Sequence, residues 1–317
     1  MLEATDAGLE SLRTELVGYA YRMLGSPFEA EDAAQETILR AWRRLETFDA
    51  ATASLRTWVY RIATNVCIDM LRSPQRRARA MDLGPASTAG AALGTPLPES
   101  AWVLPIPDHR ALPAGGDPAE LAVQRESIRL AFVAALQHLP PRQRAVLILR
   151  DVLCWHADEV AALLDTTVAS VTSALQRARA AIKEPSTRPL NEDQRSLLDR
   201  YCAAFARYDV EAMVALLHSD AVMSMPPFAW WLRGREDIRT VLVAGAGECD
   251  GARLERTAAN GTAAYWQSRP TGPGGAYEPF ALMLFETAGG RITEITTFLG
   301  AERYAPLFTD EFRAPTP

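Results

Sequence analysis

The sequence predicts a multidomain protein, with two all-α regions followed by an α+β domain. Three observations predict it. Apolar residues recur at helical spacing from Gly8 to Arg79 and again from Ala119 to Lys183, with a turn inside the second stretch that reads as helix-turn-helix. Runs with the character of strands gather only beyond Leu190. Charge is divided along the same lines, with two arginine-rich islands ahead of an acidic final third. At 317 residues the chain is also too long for one typical core.

Composition narrows the class. A hydrophobic content of 48% with 23% charged residues describes a soluble globular protein. The start, MLEATDAGLESLR, has neither a basic opening nor an apolar run, so no signal peptide is expected. No apolar stretch is long enough to span a bilayer, which gives no reason to expect a membrane. Cys67, Cys154, Cys202 and Cys249 lie far apart with no CxxC pair, so neither a zinc site nor a disulfide framework is expected, and a reducing cytoplasm fits. No cofactor is implied. The net charge of −6 argues against nucleic acid only until its distribution is read. Between Ala51 and Ala80, Arg56, Arg61, Arg72, Arg76, Arg77 and Arg79 face Asp69 alone. Between Thr166 and Arg188, Arg177, Arg179, Lys183 and Arg188 face Glu184 alone. From Leu190 onward acids outnumber bases 17 to 12.

The first region, residues 8–79, reads as three helices. Leu9, Leu12, Leu16 and the run Tyr19 to Leu24 form the first stripe, which Gly25-Ser26-Pro27 ends. A second helix, Glu29 to Arg44, opens with Glu29, Glu31 and Asp32 at the positive end of its dipole. Ala33, Ile38 and Trp42 are expected to face inward, leaving Asp32, Gln35, Glu36, Arg40 and Arg43 outside. After a loop over Glu46 to Ser54, a third helix from Leu55 to Leu71 turns Trp58, Val59, Ile62 and Val66 inward. It exposes Arg56, Arg61, Asn65, Asp69 and Arg72. Residues 80–118 change to Ala, Gly, Pro and Ser and read as a linker. Within it, 102–108, WVLPIPD, is apolar and stiff. A solvated linker has no use for Trp102, Leu104 or Pro105, so this piece is expected to dock, on its own chain or on a partner.

In the second region, residues 119–184, one helix from Ala119 to Leu139 is stopped by Pro140-Pro141 and another runs from Arg142 to Cys154. Val160, Leu163 and Leu164 then recur at helical spacing, Asp165-Thr166-Thr167 supply turn chemistry, and Val168, Val171, Leu175 and Ile182 start a new stripe. Thr166 or Thr167 can cap the second helix through its hydroxyl. Thr167, Ala169, Ser170, Thr172, Ser173, Gln176, Arg177 and Arg179 fall at its start or off its apolar stripe. Short hydrogen bonders and cations of this kind suit base edges and phosphates in a major groove. A plain helical hairpin with a solvated face would show the same periodicity.

Longer matches favour the first reading. EDAAQETILRAW followed by SLRTWVYRIATNVCIDMLR closely resembles region 2 of extracytoplasmic-function (ECF) sigma factors, in the sigma-70 family of bacterial RNA polymerase. LPPRQRAVLILRDVLCWHADEVAALLDTTVASVTSALQRARA resembles region 4 of the same family. The resemblance implies partners, core RNA polymerase (β and β′ subunits) and promoter DNA. It implies that Asp32, Gln35, Glu36 and Arg40 dock on the β′ clamp helices. The Thr47–Ser54 loop and Asn65 to Asp69 match the part that captures a flipped −10 base, which costs a few kcal/mol of unstacking. Tyr60 and Trp58 offer rings for stacking, although Trp58 shares the stripe with Ile62 and is better placed in the core. Arg56, Arg61 and Arg72 would contact phosphates. Asp165 stands where the family commonly has glycine, and Thr172 where a basic residue or asparagine is frequent. Both departures bear on −35 preference.

A second linker, 185–191, precedes the last domain, 192–313. Helices are expected over Asp193–Tyr208, Val210–His218 and Glu236–Val243, with strands at Ala221–Met225, Trp231–Arg233, Ala252–Thr257, Thr262–Ser268, Pro279–Thr287 and Arg291–Phe298. LLDRYCAAFARYDVEAMVALL, AVMSMPP and WLRGREDI resemble the SnoaL-like branch of the NTF2-like superfamily, an α+β cone found at this end of some ECF factors, including the sigma-G type. Met223, Met225, Trp230, Trp231, Tyr265, Trp266, Phe280, Met283 and Phe285 would line a pocket for a small-molecule ligand, or equally make up an ordinary curved-sheet core. His218, Asp220 and Glu278 show no placed acid–base pair, so an enzyme is not expected. The resulting expectation is a promoter-specificity subunit whose last domain is regulatory, through a small-molecule ligand or an intramolecular contact. The rivals are a helix-turn-helix regulator acting without polymerase and a SnoaL-like small-molecule enzyme.

Overall fold

The computed structural model describes residues 8–72, 84–182, 192–245, 249, 251–272 and 276–308. The chain divides into two compact units, Met1–Met81 with Ser100–Ser186, and Asp82–Glu99 with Thr187–Pro317. The segment expected as a single linker over 80–118 is therefore split near Glu99, each part belonging to a different unit. Arg76, Arg77, Arg79, Lys183 and Arg188, and the second linker, lie outside the described residues.

In the helical unit, α1 (Arg13–Leu24) is closed by Gly25, whose φ of 73° lets its N–H reach the Tyr21 carbonyl at 2.7 Å. Ser26 caps α2 (Pro27–Arg43), and Pro27 fills the first position, where a missing N–H costs nothing. Ser54 caps α3 (Leu55–Leu71) by accepting from the Thr57 N–H at 3.1 Å. Gly18 has a packing reason. A Cβ there would sit 2.3 Å from the carbonyl oxygen of Ala111, at the end of the short helix α4 (Asp108–Ala111) that crosses α1.

The helix expected from Ala119 to Leu139 is broken in two, α5 (Pro118–Ser127) and α6 (Leu130–Gln137). The break falls at Arg129, which leaves helical geometry with ψ near 144°. Next come α7 (Pro141–Leu147) and a π-helical continuation over Ile148–Val152. The helix-turn-helix is α8 (Ala157–Leu163) and α9 (Val168–Ala181). Asp165 takes the left-handed conformation at φ 50°, which its short polar side chain tolerates, so the usual glycine is not required there. Thr167 is the cap, accepting from the Ser170 N–H at 3.2 Å. Val171, Leu175 and Ala178 are buried, whereas Val168, expected on the stripe, is largely exposed.

The second unit sets α10 (Glu192–Ala206), α11 (Val210–Ala215) and α12 (Arg235–Ala244) with a six-stranded sheet. Its strands are β1 (Leu217–Ser224), β2 (Trp231–Arg233), β3 (Arg253–Ala259), β4 (Thr262–Pro270), β5 (Tyr277–Ala288) and β6 (Arg291–Leu299), in the order β2-β1-β6-β5-β4-β3. All neighbours are antiparallel except β1 and β6, a parallel pair that local sequence did not reveal. The expected helix Val210–His218 ends at Ala215, and His218 lies in β1. Strand alternation separates two apolar faces. Met223, Tyr265, Met283, Phe285 and Ile295 join Tyr201 and Trp230 in one core. Trp266 falls on the opposite face, edge-to-face with Phe308 at 5.0 Å.

Candidate promoter and polymerase interface

On α2 the small residues Ala30, Ala33, Ala34, Thr37 and Ala41 are buried, which makes a narrow inward stripe. Trp42, expected inward beside them, lies off that stripe and is 60% exposed, and Leu39 is 40% exposed. Asp32 and Gln35 are exposed on the helix, and Arg40 donates to Glu36 one turn earlier at 2.7 Å. The outward side of α2 thus has apolar groups among polar ones, a composition suited to docking on protein.

Along α3, Arg61, Asn65, Asp69 and Arg72 are all exposed, at a spacing that keeps them on one side of the helix. Arg72 pairs with Asp69 at 3.3 Å. Arg61 is not free, because it donates to the Ala162 carbonyl of α8 at 2.5 Å. Arg56 also differs from a loose phosphate contact. It is half-buried, paired with Glu15 at 2.9 Å, and its guanidinium lies 5.3 Å from the ring centres of both Tyr60 and Trp155. Burial works against its charge, but Tyr60 and Glu15 outweigh it and its pKa is raised. Tyr60 is a correction. Its ring is fully buried between Tyr19 at 5.3 Å and Trp155 at 5.0 Å, so it offers no face to a base in this arrangement. Burial, and then the Glu15 carboxylate, push its hydroxyl pKa up. Trp58 is half-buried against Phe48 at 5.3 Å, and Asp49 orders the loop before it by accepting from the Ala51 N–H and the Thr52 hydroxyl.

Two buried arginines connect the sequence regions 8–79 and 119–184. Arg22 donates to the Ser127 hydroxyl at 2.9 Å, to the Gln124 carbonyl at 3.0 Å and to the Gly18 carbonyl at 2.7 Å. Arg144 donates to Gln137 Oε1 at 2.7 Å, to the carbonyls of Gln137 and Leu139, and to that of Met23. Burial lowers both pKa values to about 10. Arg22, Arg144, Glu15 and Trp155 had no assigned role in the sequence. The only local clue was an arginine set among apolar residues, as in YAYRML and RQRAVL.

On α9, Thr167, Ala169, Ser170, Thr172, Ser173, Gln176, Arg177 and Arg179 are all exposed. Thr172 donates back to the Val168 carbonyl at 3.0 Å. Arg179 forms a bidentate pair with Asp151 at 2.7 and 2.8 Å, a partner not foreseen from the sequence. The apolar linker piece docks on its own chain. Trp102, Leu104 and Pro105 are buried, Leu104 donates its N–H to the Gly25 carbonyl at 2.9 Å, and the Tyr21 hydroxyl donates to the Leu104 carbonyl at 2.8 Å.

In the sheet unit, Met223, Trp230, Tyr265 and Phe285 are core residues exposed by 4% or less, and Met225 is partly buried beside them. Trp266 does not join this group, because it lies on the other face of the sheet. His218 is exposed, and its Nδ1 accepts from the Asp220 N–H at 3.2 Å.

Family models match at three places, Sigma-70 region 2 over residues 9–77, Sigma-70 region 4 over 129–182 and a SnoaL-like domain over 198–295. The ECF RNA polymerase sigma factor SigG of Mycobacterium tuberculosis is 41% identical over 305 residues, covering 92% of this chain and 80% of that one. The chain belongs to the ECF RNA polymerase sigma factors. SigJ of the same organism is 31% identical over 218 residues, covering 68% of this chain and 62% of SigJ. The SigJ crystal structure shares the fold, with a TM-score of 0.64 at 21% identity, over 94% of this chain and 98% of that one. This kinship supports promoter-directed initiation and neither the polymerase-independent regulator nor the SnoaL-like enzyme. The relatives named are sigma factors, although SnoaL-like domains also occur in enzymes. Among the described residues, no helix of this sigma factor is long and apolar enough to cross a membrane.

Proposed function

We propose that each step of initiation has its own surface on this sigma factor. The α2 residues Asp32, Gln35, Glu36 and Arg40, with Leu39 and Trp42 among them, dock on the core polymerase in the cytoplasm. The α3 residues Arg61, Asn65, Asp69 and Arg72 hold the −10 strand. Asn65 can donate and accept, as base capture requires. The −35 duplex is read by Thr172, Ser173, Gln176 and Arg177 on α9, with phosphates held by the capped start of the helix at Thr167, Ala169 and Ser170 and by Arg179 once it leaves Asp151. The polymerase performs the chemistry. The SnoaL-like unit is a built-in regulator that takes its signal from a small molecule or from an intramolecular contact.

The observation that carries this reading is the outward face of α2, where Trp42 is 60% exposed and Leu39 40% exposed. An exposed tryptophan among polar neighbours is characteristic of a protein contact. Pull-down with core polymerase and in vitro transcription test it. Full-length protein is expected to bind core and start transcripts, and Trp42→Glu to lose both while keeping its helical content. Trp42→Glu equal to the parent in both assays would refute the docking assignment. For the regulatory part, full-length protein is compared with a chain stopped near Arg188. Equal open-complex formation at all concentrations would remove the regulatory role.

A further inference from the structure

Val168 opens α9, directly after the Thr167 cap. Periodicity groups it with Val171 and Leu175, yet those two are buried and Val168 is 48% exposed. Among the described residues of α8 and α9, it is the large apolar side chain left open to solvent. The polar groups around it are already engaged within the helix. The Thr167 hydroxyl accepts from the Ser170 N–H at 3.2 Å and shares a hydrogen bond with the Ser170 hydroxyl at 3.0 Å. Thr172, one turn beyond Val168 and beside it on the helix, donates its hydroxyl proton to the Val168 carbonyl at 3.0 Å. Its donor is occupied and its methyl group remains. With the exposed Ala169, the start of α9 is therefore apolar in what it can offer, whereas Ser173, Gln176 and Arg177 further along supply hydrogen bonds.

That division has a counterpart in DNA. In the major groove the apolar group on a base edge is the C5-methyl of thymine, and the N-terminal residues of a recognition helix are those that meet base edges. Phosphates and water gain nothing from a valine. Val168 is also stiff about χ1 in a helix, so holding it against a methyl group costs little entropy. We propose that Val168, with the Thr172 methyl beside it, reads a thymine C5-methyl group in the −35 element, and so gives the promoters of this sigma factor an A·T pair opposite the first turn of α9. The proposal rests on the −35 reading of α9 given above, and adds to it a residue and a base. It also recasts Thr172, which contributes apolar contact in place of a donated hydrogen bond. One methyl group buried against another sets the size of the effect at about fourfold in affinity.

The test uses the full chain bound to core polymerase. Promoter duplexes are selected from a pool randomised over the −35 element. Each thymine of the selected element, on either strand, is then replaced in turn by deoxyuridine, which keeps the pairing and lacks only the methyl group. With the parent, one such replacement should weaken binding about fourfold and the others by less than about 1.5-fold. Val168→Ala should bind the thymine duplex about fourfold more weakly and then treat thymine and uracil at that position alike. It should keep the parent's urea midpoint, its binding to core and its salt slope, because no charge and no buried contact is lost. A selected element without an A·T pair, or a parent indifferent to uracil at every position, would overturn the proposal. So would a loss in Val168→Ala that leaves the uracil effect intact, since Val168 would then be covered by protein and not by the base. Gln176→Ala and Arg177→Ala separate this from the reading it rests on. If they bind the selected duplex more weakly than the parent while uracil has no effect, α9 still reads the −35 element and only the methyl contact falls. If they too match the parent, both fall.

Discussion

The packing of region 2 on region 4 makes a quantitative prediction at Tyr60 and Trp155. Their ring centres lie 5.0 Å apart, and the Arg56 guanidinium is 5.3 Å from each. Replacing either ring by leucine also damages its own region, since Tyr60 packs on Tyr19 and the Trp155 ring is buried. Each single change should therefore cost about 2–4 kcal/mol, as other buried aromatic truncations do. A double-mutant cycle cancels those local losses and leaves the pair. An aromatic pair contributes about 0.5–1.5 kcal/mol beyond burial, and the contact that each ring makes with Arg56 cancels in the cycle. Tyr60→Leu, Trp155→Leu and the double variant, unfolded in urea, should show a coupling of about 0.5–1.5 kcal/mol. A coupling below about 0.3 kcal/mol, with all three variants folded, would mean that the regions do not pack this way in solution.

Three other outcomes are expected. Gly18→Ala places a Cβ 2.3 Å from the Ala111 carbonyl and should destabilise the helical unit by about 1–3 kcal/mol, read from its urea midpoint; a neutral result would contradict the crossing of α1 and α4. Arg179→Ala should lower −35 duplex affinity of the holoenzyme and reduce the slope of log K against log salt by about 1; an unchanged slope would remove its phosphate contact. Burial raises the Glu294 pKa above its usual 4.5, with the Thr296 hydroxyl only partly opposing it. A carboxylate with a raised folded-state pKa is least costly when protonated, so the parent loses stability as pH rises from 4.5 through the raised value. Glu294→Gln should therefore raise the melting temperature at pH 7 and have no such advantage below pH 4; a gain independent of pH would refute the assignment.

The region 2 helices and the helix-turn-helix were legible because each is written locally. Thr167 sits where an orphan N–H needs an acceptor, and Gly25 where the chain must turn left-handed. The exposed rows on α3 and α9 follow from periodicity alone. What was not legible depends on partners distant in sequence. The side to which Trp42 turns depends on how closely the alanines of α2 let α1 approach. Whether Tyr60 can reach a base depends on Trp155, and whether Arg179 is free depends on Asp151. The parallel pairing of β1 with β6 likewise joins strands about seventy residues apart, and β1 has no local pattern that names its neighbour. The break at Arg129 is a further case. Leu121, Ile128 and Phe132 keep helical spacing across it, so the apolar pattern continues while the backbone does not.

An acidic chain can still bind a polyanion because of the way its arginines are occupied. Arg72 rests on Asp69, Arg179 on Asp151, and Arg61 on the carbonyl of Ala162. Partly exposed ion pairs of this sort contribute no more than about 1 kcal/mol each. A phosphate that takes over the guanidinium forms a charge-assisted bond of equal or better geometry and also releases counterions. Exchanging one partner for the other therefore costs little at each position. The larger cost lies in parting Tyr60 from Trp155 and Arg22 from Ser127, where buried groups must be re-solvated. Polymerase docking has to supply that part, because promoter phosphates never reach those side chains. A sigma factor built this way should bind isolated promoter DNA weakly and with steep salt dependence, while the holoenzyme binds it tightly.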